Sequence, residues 1–196
     1  AYWVKSYGWR HTAEILALIG MGLTVLMLLV LKSKTIEEAV TQNKPLASLK
    51  NILVNKQTYW IALYAFTAWA PITLFAELWG VPYLIVRQHA SNVVAAQYSS
   101  FIWVGLAFSS LILGWWSDRL QKRRPFMLAC SLVGLISVML MLYGPWTEMM
   151  VVVLFMLSIG VAASGQILCF ALVRDHFPQR DLAVAIGIVN MAVVVG

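Results

Sequence analysis

A charged turn lies between two long apolar runs and contains a glycine, an aspartate and three arginines: Gly114, Asp118, Arg119, Arg123 and Arg124. Guanidinium groups pair with carboxylates and with lipid phosphates. An aspartate at a helix end can accept hydrogen bonds from the N-terminus of a neighbouring helix, and glycine lets helices approach closely. Ionic contacts of this kind form in one conformation and break in another, so the turn is a candidate gate. The alternative is that its positive charge only anchors the chain at a membrane surface.

A single acid inside an apolar run is the second candidate. Glu77 lies in the 28-residue run 59–86, and an ionisable group within a spanning helix is costly unless it faces a cavity or a partner. Pro71 and Pro82 flank it and should bend the helix, while Gly80 would share its face in a regular α-helix. These features predict a substrate or proton site. The alternatives are an acid near the lipid headgroups, or half of a structural ion pair.

Two amide side chains lie in later apolar runs. Gln166 is the strongly polar residue of the run 149–173, where it is a candidate for lining a solute pathway. Asn190 shares a helix face with Ala183 and Gly187, a pattern that favours helix packing as well as solute contact. Small residues four apart, which favour close helix packing, occur at Gly105 and Ser109 and at Gly160 and Ser164.

The composition indicates that the chain lies in a lipid bilayer. Of its 196 residues 61% are hydrophobic and 11% are charged, and the mean hydropathy is +0.81. A soluble domain is about 45–50% apolar and about 25% charged, so one core cannot hide these side chains and lipid must cover them. Cys130 and Cys169 lie inside apolar runs, which favours buried inert thiols over a disulfide or a metal site. No cofactor is expected.

The distribution of basic residues predicts the orientation. Apolar runs at 12–31, 59–86, 95–116, 126–143 and 149–173 are long enough to cross a bilayer, and the last run, 182–196, is too short. If the loops 33–57, 117–125 and 174–181 are cytoplasmic, together with Lys32 at the end of the first run, that side holds all but three of the 14 basic residues. The exceptions are Lys5, Arg10 and Arg87. This bias follows the positive-inside rule. The net charge of +6 then needs no nucleic-acid partner.

Two polar segments of that side have further features. Apolar residues at helical spacing after Pro45 predict a short amphipathic helix over 45–53, on the membrane surface or as a plain linker. The charged residues of 174–181 are expected to set the orientation and to form surface pairs: Arg174, Asp175, Arg180 and Asp181. Because the last run is cut short, the sequence is expected to be a piece of a longer protein.

The turn resembles the Gly-x-x-x-Asp-Arg-x-Gly-x-Arg-Arg signature of the major facilitator superfamily of secondary transporters. The stretch 7–10, the linker 33–57 and the segment 177–190 are similar to the same family, the last to its organophosphate and organic-anion branch. The resemblance implies an all-α polytopic bundle containing helices six to eleven of twelve. It divides the chain into the last helix of the N-terminal bundle (1–32), a cytoplasmic linker (33–57) and a truncated C-terminal bundle (58–196). Gln121 stands where the signature has its second glycine, a residue that permits a tight turn.

The resemblance also implies a function. We expect a multi-pass protein of the cell membrane that moves a small polar solute by alternating access, coupled to a proton, together with the remaining half of the transporter. Glu77, Gln166 and Asn190 are then the expected pathway residues. A sensor or partner subunit that kept the fold is the alternative. A membrane-embedded enzyme is a weaker alternative, because the sequence contains no His-Glu-x-x-His motif, no Gly-x-Ser-x-Gly motif and no clustered carboxylates.

Overall fold

The computed structural model describes residues 2–31, 45–146 and 148–195. The chain forms two compact units, Ala1–Gln42 and Asn43–Gly196, and each is described by itself. The first unit contains helix α1 (Tyr2–Val30), which bends at Gly8, where φ is +76°. Its membrane-spanning part is Ser6–Val30, which contains an 18-residue stretch with a mean hydropathy of 2.4. Most of the expected linker, including Lys32, Lys34 and Lys44, lies outside the described residues.

The second unit is built from helices, and no strand occurs among its described residues. Its helices are α2 (Pro45–Val54), α3 (Lys56–Pro71), a π-helix (Ile72–Trp79), α4 (Gly80–Gln88), α5 (Asn92–Ser99), α6 (Phe101–Leu120), α7 (Arg124–Tyr143), α8 (Met149–Ser164), α9 (Ile167–His176) and α10 (Gln179–Val195).

Several of these helices join into longer segments. Five segments of the described chain are long and apolar enough to cross a membrane: Ser6–Val30, Lys56–Gln88, Asn92–Leu120, Arg124–Tyr143 and Met149–His176. They coincide with the first five predicted runs and extend most of them by a few residues. The sixth run forms α10, which has 17 residues. The predicted all-α, multi-pass class is confirmed.

The span Lys56–Gln88 departs from α geometry between its two prolines. Pro71 has no N–H and its ring crowds the carbonyl four residues earlier, so the regular hydrogen-bond ladder cannot continue through it. The π-helix Ile72–Trp79 follows directly. At its end the Gly80 N–H bonds to the Phe75 oxygen, five residues back instead of four. The sequence predicted a bend here, and the structure contains a wider helical turn.

Helices α6 and α8 approach each other closely through glycines. A Cβ atom at Gly105 would lie 2.3 Å from the backbone oxygen of Leu157, and one at Gly160 would lie 2.1 Å from that of Ile102. Neither position has room for a side chain. The glycines of the two small-residue pairs singled out in the sequence therefore lie where two helix backbones touch.

The predicted short helix is present as α2 and packs against the bundle. Ser48 and Ile52 are buried, and Ile52 belongs to a core cluster with residues of α3 and α10. The Thr58 hydroxyl donates to the Ile52 oxygen at 2.7 Å and the Tyr59 hydroxyl to the Leu53 oxygen at 2.8 Å. These bonds satisfy carbonyls at the end of α2 that the helix itself leaves free.

Helix α7 is bonded to the span Lys56–Gln88 at two levels. The Tyr64 hydroxyl donates to the Met127 oxygen at 2.9 Å, near the start of α7. The Tyr83 hydroxyl donates to the Met141 oxygen at 2.7 Å, near its end. Between these two bonds lies a cavity of about 330 Å³, lined by Thr67, Pro71, Gly134 and Val138 among others. The π-helix begins at the level of this opening.

Candidate functional site

Arg123 is the centre of the charged turn. Its Nη1 pairs with Asp118 Oδ1 at 2.5 Å and donates to the Ser117 hydroxyl at 2.9 Å. Its Nε donates to Asp175 Oδ2 at 3.1 Å. One guanidinium therefore joins the end of α6 to the end of α9. We call Ser117, Asp118, Arg123 and Asp175 the Arg123 cluster.

The Arg123 cluster is buried at its centre and open at its rim. Arg123 is 8% exposed, whereas Asp118 and Asp175 are 58% and 43% exposed. Burial lowers the pKa of Arg123, but hydrogen bonds and charge from Asp118 and Asp175 more than offset this, and the net pKa is raised. The arginine therefore stays charged, and both carboxylates can leave it toward water without crossing a closed core.

Gln121 closes the turn in an unfavourable backbone conformation. It lies at the C-terminal end of α6 with φ +51° and ψ +29°, in the left-handed region that favours glycine. Its side-chain Nε2 donates to the backbone carbonyl oxygen of Asp118 at 2.6 Å. Gln121, which stands where the signature has a glycine, thus adopts the conformation of the turn and contributes a side-chain hydrogen bond within it.

The other residues of the turn lie apart from the Arg123 cluster. A Cβ at Gly114 would meet no described atom within 4 Å. The guanidinium of Arg119 lies over the Trp115 ring, 5.4 Å from its centroid. Arg124 begins α7 and is exposed. Of the five predicted gate residues, the structure therefore brings together Asp118 and Arg123.

Two members of the Arg123 cluster were missed in the sequence. Asp175 was expected to form a surface pair, and Ser117 was not singled out. The available signal was that the charge bias of the loops predicts the same membrane side for Asp175 and the arginine-rich turn. Arg180 and Asp181 were also expected to form surface pairs. They lie 3.6 Å apart, but Asp181 is 4% exposed and lies in the first turn of α10. A carboxylate is stabilised there by the helix dipole.

Glu77 lies within the π-helix and its side chain is exposed. No hydrogen bond or ion pair joins it to another described residue. Gly80, expected to share its face, is buried, and a Cβ there would lie 2.9 Å from the Ser99 hydroxyl. The wider turn of the π-helix rotates the two residues away from a common face.

Gln166 lies at a break in the span Met149–His176. Helix α8 ends at Ser164 and α9 begins at Ile167, so Gly165 and Gln166 form the junction. Gln166 is 8% exposed, and its side-chain amide makes no hydrogen bond within the described chain. An amide in that state, at a helix break inside a spanning segment, is available to a solute.

Asn190 occupies an exposed position on α10, next to the buried Val189. No hydrogen bond links any two of Glu77, Gln166 and Asn190 in the part of the chain that is described. Over the same residues, no group of three or more His, Cys, Asp or Glu side chains could hold a metal ion. Cys130 and Cys169 are free and buried.

Comparison with known proteins gives a family and one distant relative. The profile of the Major Facilitator Superfamily matches residues 1–196. The gentisate transporter of Corynebacterium glutamicum is 26% identical over 197 aligned residues, covering 93% of this chain and 42% of that protein. The chain thus spans less than half the length of this relative. No solved structure matches the chain.

The family match settles two of the sequence predictions. The resemblance to the major facilitator superfamily is confirmed over the whole chain. The alternative of a membrane-embedded enzyme is excluded, because this family consists of transport proteins. The helical spans agree with a partial bundle of that family. The chain belongs to the Major Facilitator Superfamily.

Proposed function

We propose that the full-length protein is a secondary active transporter of a small organic anion, coupled to a proton, and that this chain supplies part of its solute pathway. The observation that carries the proposal is the interruption of two spanning segments at polar residues. Glu77 lies in a π-helix and Gln166 at a helix break. Transporters bind solutes and ions at such interruptions, because the backbone there has free polar groups.

Glu77 is the proposed proton-coupling group. It is the carboxylate of the span Lys56–Gln88, and no described cation neutralises it. A carboxylate without a partner can release and take up a proton as its surroundings alternate between the two sides. Gln166 and Asn190 are proposed to donate hydrogen bonds to the solute. Neither carries a charge that would compete with the coupling step.

The Arg123 cluster is proposed as a gate on the cytoplasmic side. It joins the ends of two spans through one guanidinium, and its carboxylates are half exposed. Separation of these spans would break the Asp175 contact and leave the Asp118 contact within its own turn. The assignment of this side to the cytoplasm rests on the charge bias of the loops.

The proposed substrate class includes gentisate. A relative at 26% identity is a gentisate transporter, and gentisate is a hydroxylated benzoate anion. A hydroxylated anion would use amide donors such as Gln166 and Asn190. The panel of solutes in the test therefore includes gentisate, other aromatic and aliphatic carboxylates, amino acids and sugars.

The test is solute uptake by the full-length protein in proteoliposomes with an imposed pH gradient. We expect gradient-dependent uptake of an organic anion, lost in Glu77→Gln and retained in Glu148→Gln, a matched change at an exposed acid before α8. If uptake does not depend on the pH gradient and is retained in Glu77→Gln, then Glu77 is not a proton-coupling group. No uptake of any solute would favour the sensor or partner subunit.

A further inference from the structure

A basic cavity lies beside the Arg123 cluster, between the start of α7 and the end of α9. Its volume is about 330 Å³, and its lining includes Lys122, Arg123, Arg124, Leu172, Asp175 and His176. Three of these side chains are cationic and one is anionic. A cavity with this balance favours an anion.

The cations of the cavity differ in their availability. Arg123 is paired with Asp118 and Asp175, and this pairing also offsets the negative charge that Asp175 brings to the cavity. Lys122 and Arg124 are exposed, and no described carboxylate lies within 4.0 Å of either. These two side chains can therefore bind an added anion without breaking an existing contact.

An apolar groove continues from the basic cavity. It has a volume of about 300 Å³ and shares Arg124 and Leu172 with the cavity. Trp60, Ile61, Met127 and Leu128 line the rest of it. Trp60 is 68% exposed and Leu128 is 62% exposed, so no described residue covers the groove along these side chains. A ligand that fits both regions has an anionic head and an apolar chain.

We propose that this cavity and groove bind an anionic phospholipid, with its phosphate between Lys122 and Arg124 and an acyl chain along Trp60 and Leu128. The choice of lipid rests on charge complementarity, because basic pockets at the ends of spanning helices bind anionic headgroups of the cytoplasmic leaflet. The leaflet follows from the orientation in the proposed function; the site itself does not depend on transport. A free phosphate ion would not use the groove, and a further helix would not need the two unpaired cations.

The first test measures lipid binding to the purified full-length protein by native mass spectrometry. Phosphatidylglycerol, phosphatidylcholine and glycerol phosphate are compared, together with the variant Lys122→Gln/Arg124→Gln. The control, Lys50→Gln/Arg174→Gln, also removes one lysine and one arginine charge, but at exposed positions outside the cavity. Each basic side chain near an anionic lipid contributes about fivefold in affinity. We expect about 30-fold weaker phosphatidylglycerol binding in the first variant and no change in the control.

Three results would overturn the proposal. These are equal binding of phosphatidylcholine, competition by glycerol phosphate at the affinity of the lipid, or equal weakening in the control variant. The comparison of lipids on the unmodified protein decides the question even if the double variant is unstable. Binding is measured without transport, so an inactive transporter would leave this result intact.

A second test identifies what occupies the groove. Leu128, which is exposed, is replaced by a photoreactive phenylalanine analogue. The analogue is activated by light in membranes that contain phosphatidylglycerol. We expect the crosslinked product to be a lipid. A crosslink to a peptide of the same protein would assign the groove to a helix and refute the lipid site.

Discussion

Arg123 and Asp175 are 52 positions apart in the chain, yet the Arg123 Nε donates to Asp175 Oδ2 at 3.1 Å. Their pair connects the segment after Asn92–Leu120 with the end of Met149–His176. The other ion pairs of the described residues join neighbours within six positions. The Arg123–Asp175 pair is thus the charged contact that depends on how two spans are placed.

Removing Arg123 should destabilise the protein. Arg123→Ala leaves Ser117 and two carboxylates without their donor, at a cost of about 1–3 kcal/mol in free energy of unfolding. Thermal unfolding of the full-length protein in detergent measures this. Arg119→Ala is the control, since Arg119 is exposed, lies over the Trp115 ring and forms no ion pair with a described residue. We expect a change within about 0.5 kcal/mol. Equal losses in both variants would show that the Arg123 cluster contributes nothing specific.

Lysine at position 123 should make stability depend on alkaline pH. The pKa of Arg123 is raised in the folded protein. Its contribution to the free energy of unfolding is therefore complete at any pH below the pKa that arginine has in the unfolded chain. That contribution is lost as the pH rises through the pKa that Arg123 has in the folded protein. Arginine titrates above about pH 12, so the unmodified protein should show no loss from this group between pH 7 and 11. A lysine titrates near pH 10.4, so Arg123→Lys should lose stability relative to the unmodified protein as the pH rises from 9 to 11. A constant difference across this range would contradict the prediction.

Glycine at position 121 should stabilise the turn. Gln121 holds φ at +51°, a conformation that costs a non-glycine residue roughly 1 kcal/mol. Gln121→Gly removes this cost but also the bond to the Asp118 oxygen, so we expect a gain of about 0.5 kcal/mol. Gln121→Ala loses the bond and keeps the cost, and should be the least stable of the three. The order is checked by unfolding temperature, and an alanine variant as stable as the glycine variant would refute the backbone argument.

The contact between α6 and α8 should not tolerate an added methyl group. A Cβ at Gly105 or Gly160 would lie within 2.3 Å of a backbone oxygen, so either Gly→Ala change should cost about 1–3 kcal/mol through overpacking. Gly114→Ala is the matched control in α6, because no described atom lies within 4 Å of its Cβ. Unfolding measurements on the three variants test this. A tolerated alanine at position 105 would show that the helices can separate at little cost.

The elements of this chain were predictable to the extent that each depends on its own residues. Hydrophobic run length predicted the five spans, and the pattern after Pro45 predicted α2, because both properties are local. Pro71 predicted a bend, but a proline does not specify whether the helix bends or widens into a π-helix. The packing against Ser99 that buries Gly80 is a property of the bundle.

The candidate site was predictable in its residue types and not in its contacts. The arginine-rich turn was recognised from its signature, whereas Asp175, the partner of Arg123, lies 52 positions further along, at the end of α9. Charge and spacing give no distance between the turn and that helix end, so the pairing needs the structure. The small residues at Gly105 and Gly160 likewise predicted close packing without naming the facing helix.

The bonds of Tyr64 and Tyr83 to the oxygens of Met127 and Met141 limit how the span Lys56–Gln88 can move. Sliding of this helix along α7 by one turn would break both bonds together. Rotation of the π-helix between them, or a change in its curvature, breaks neither. Any displacement of Glu77 that preserves both bonds is therefore a local bend with fixed end points, and it leaves the length of the span across the bilayer unchanged.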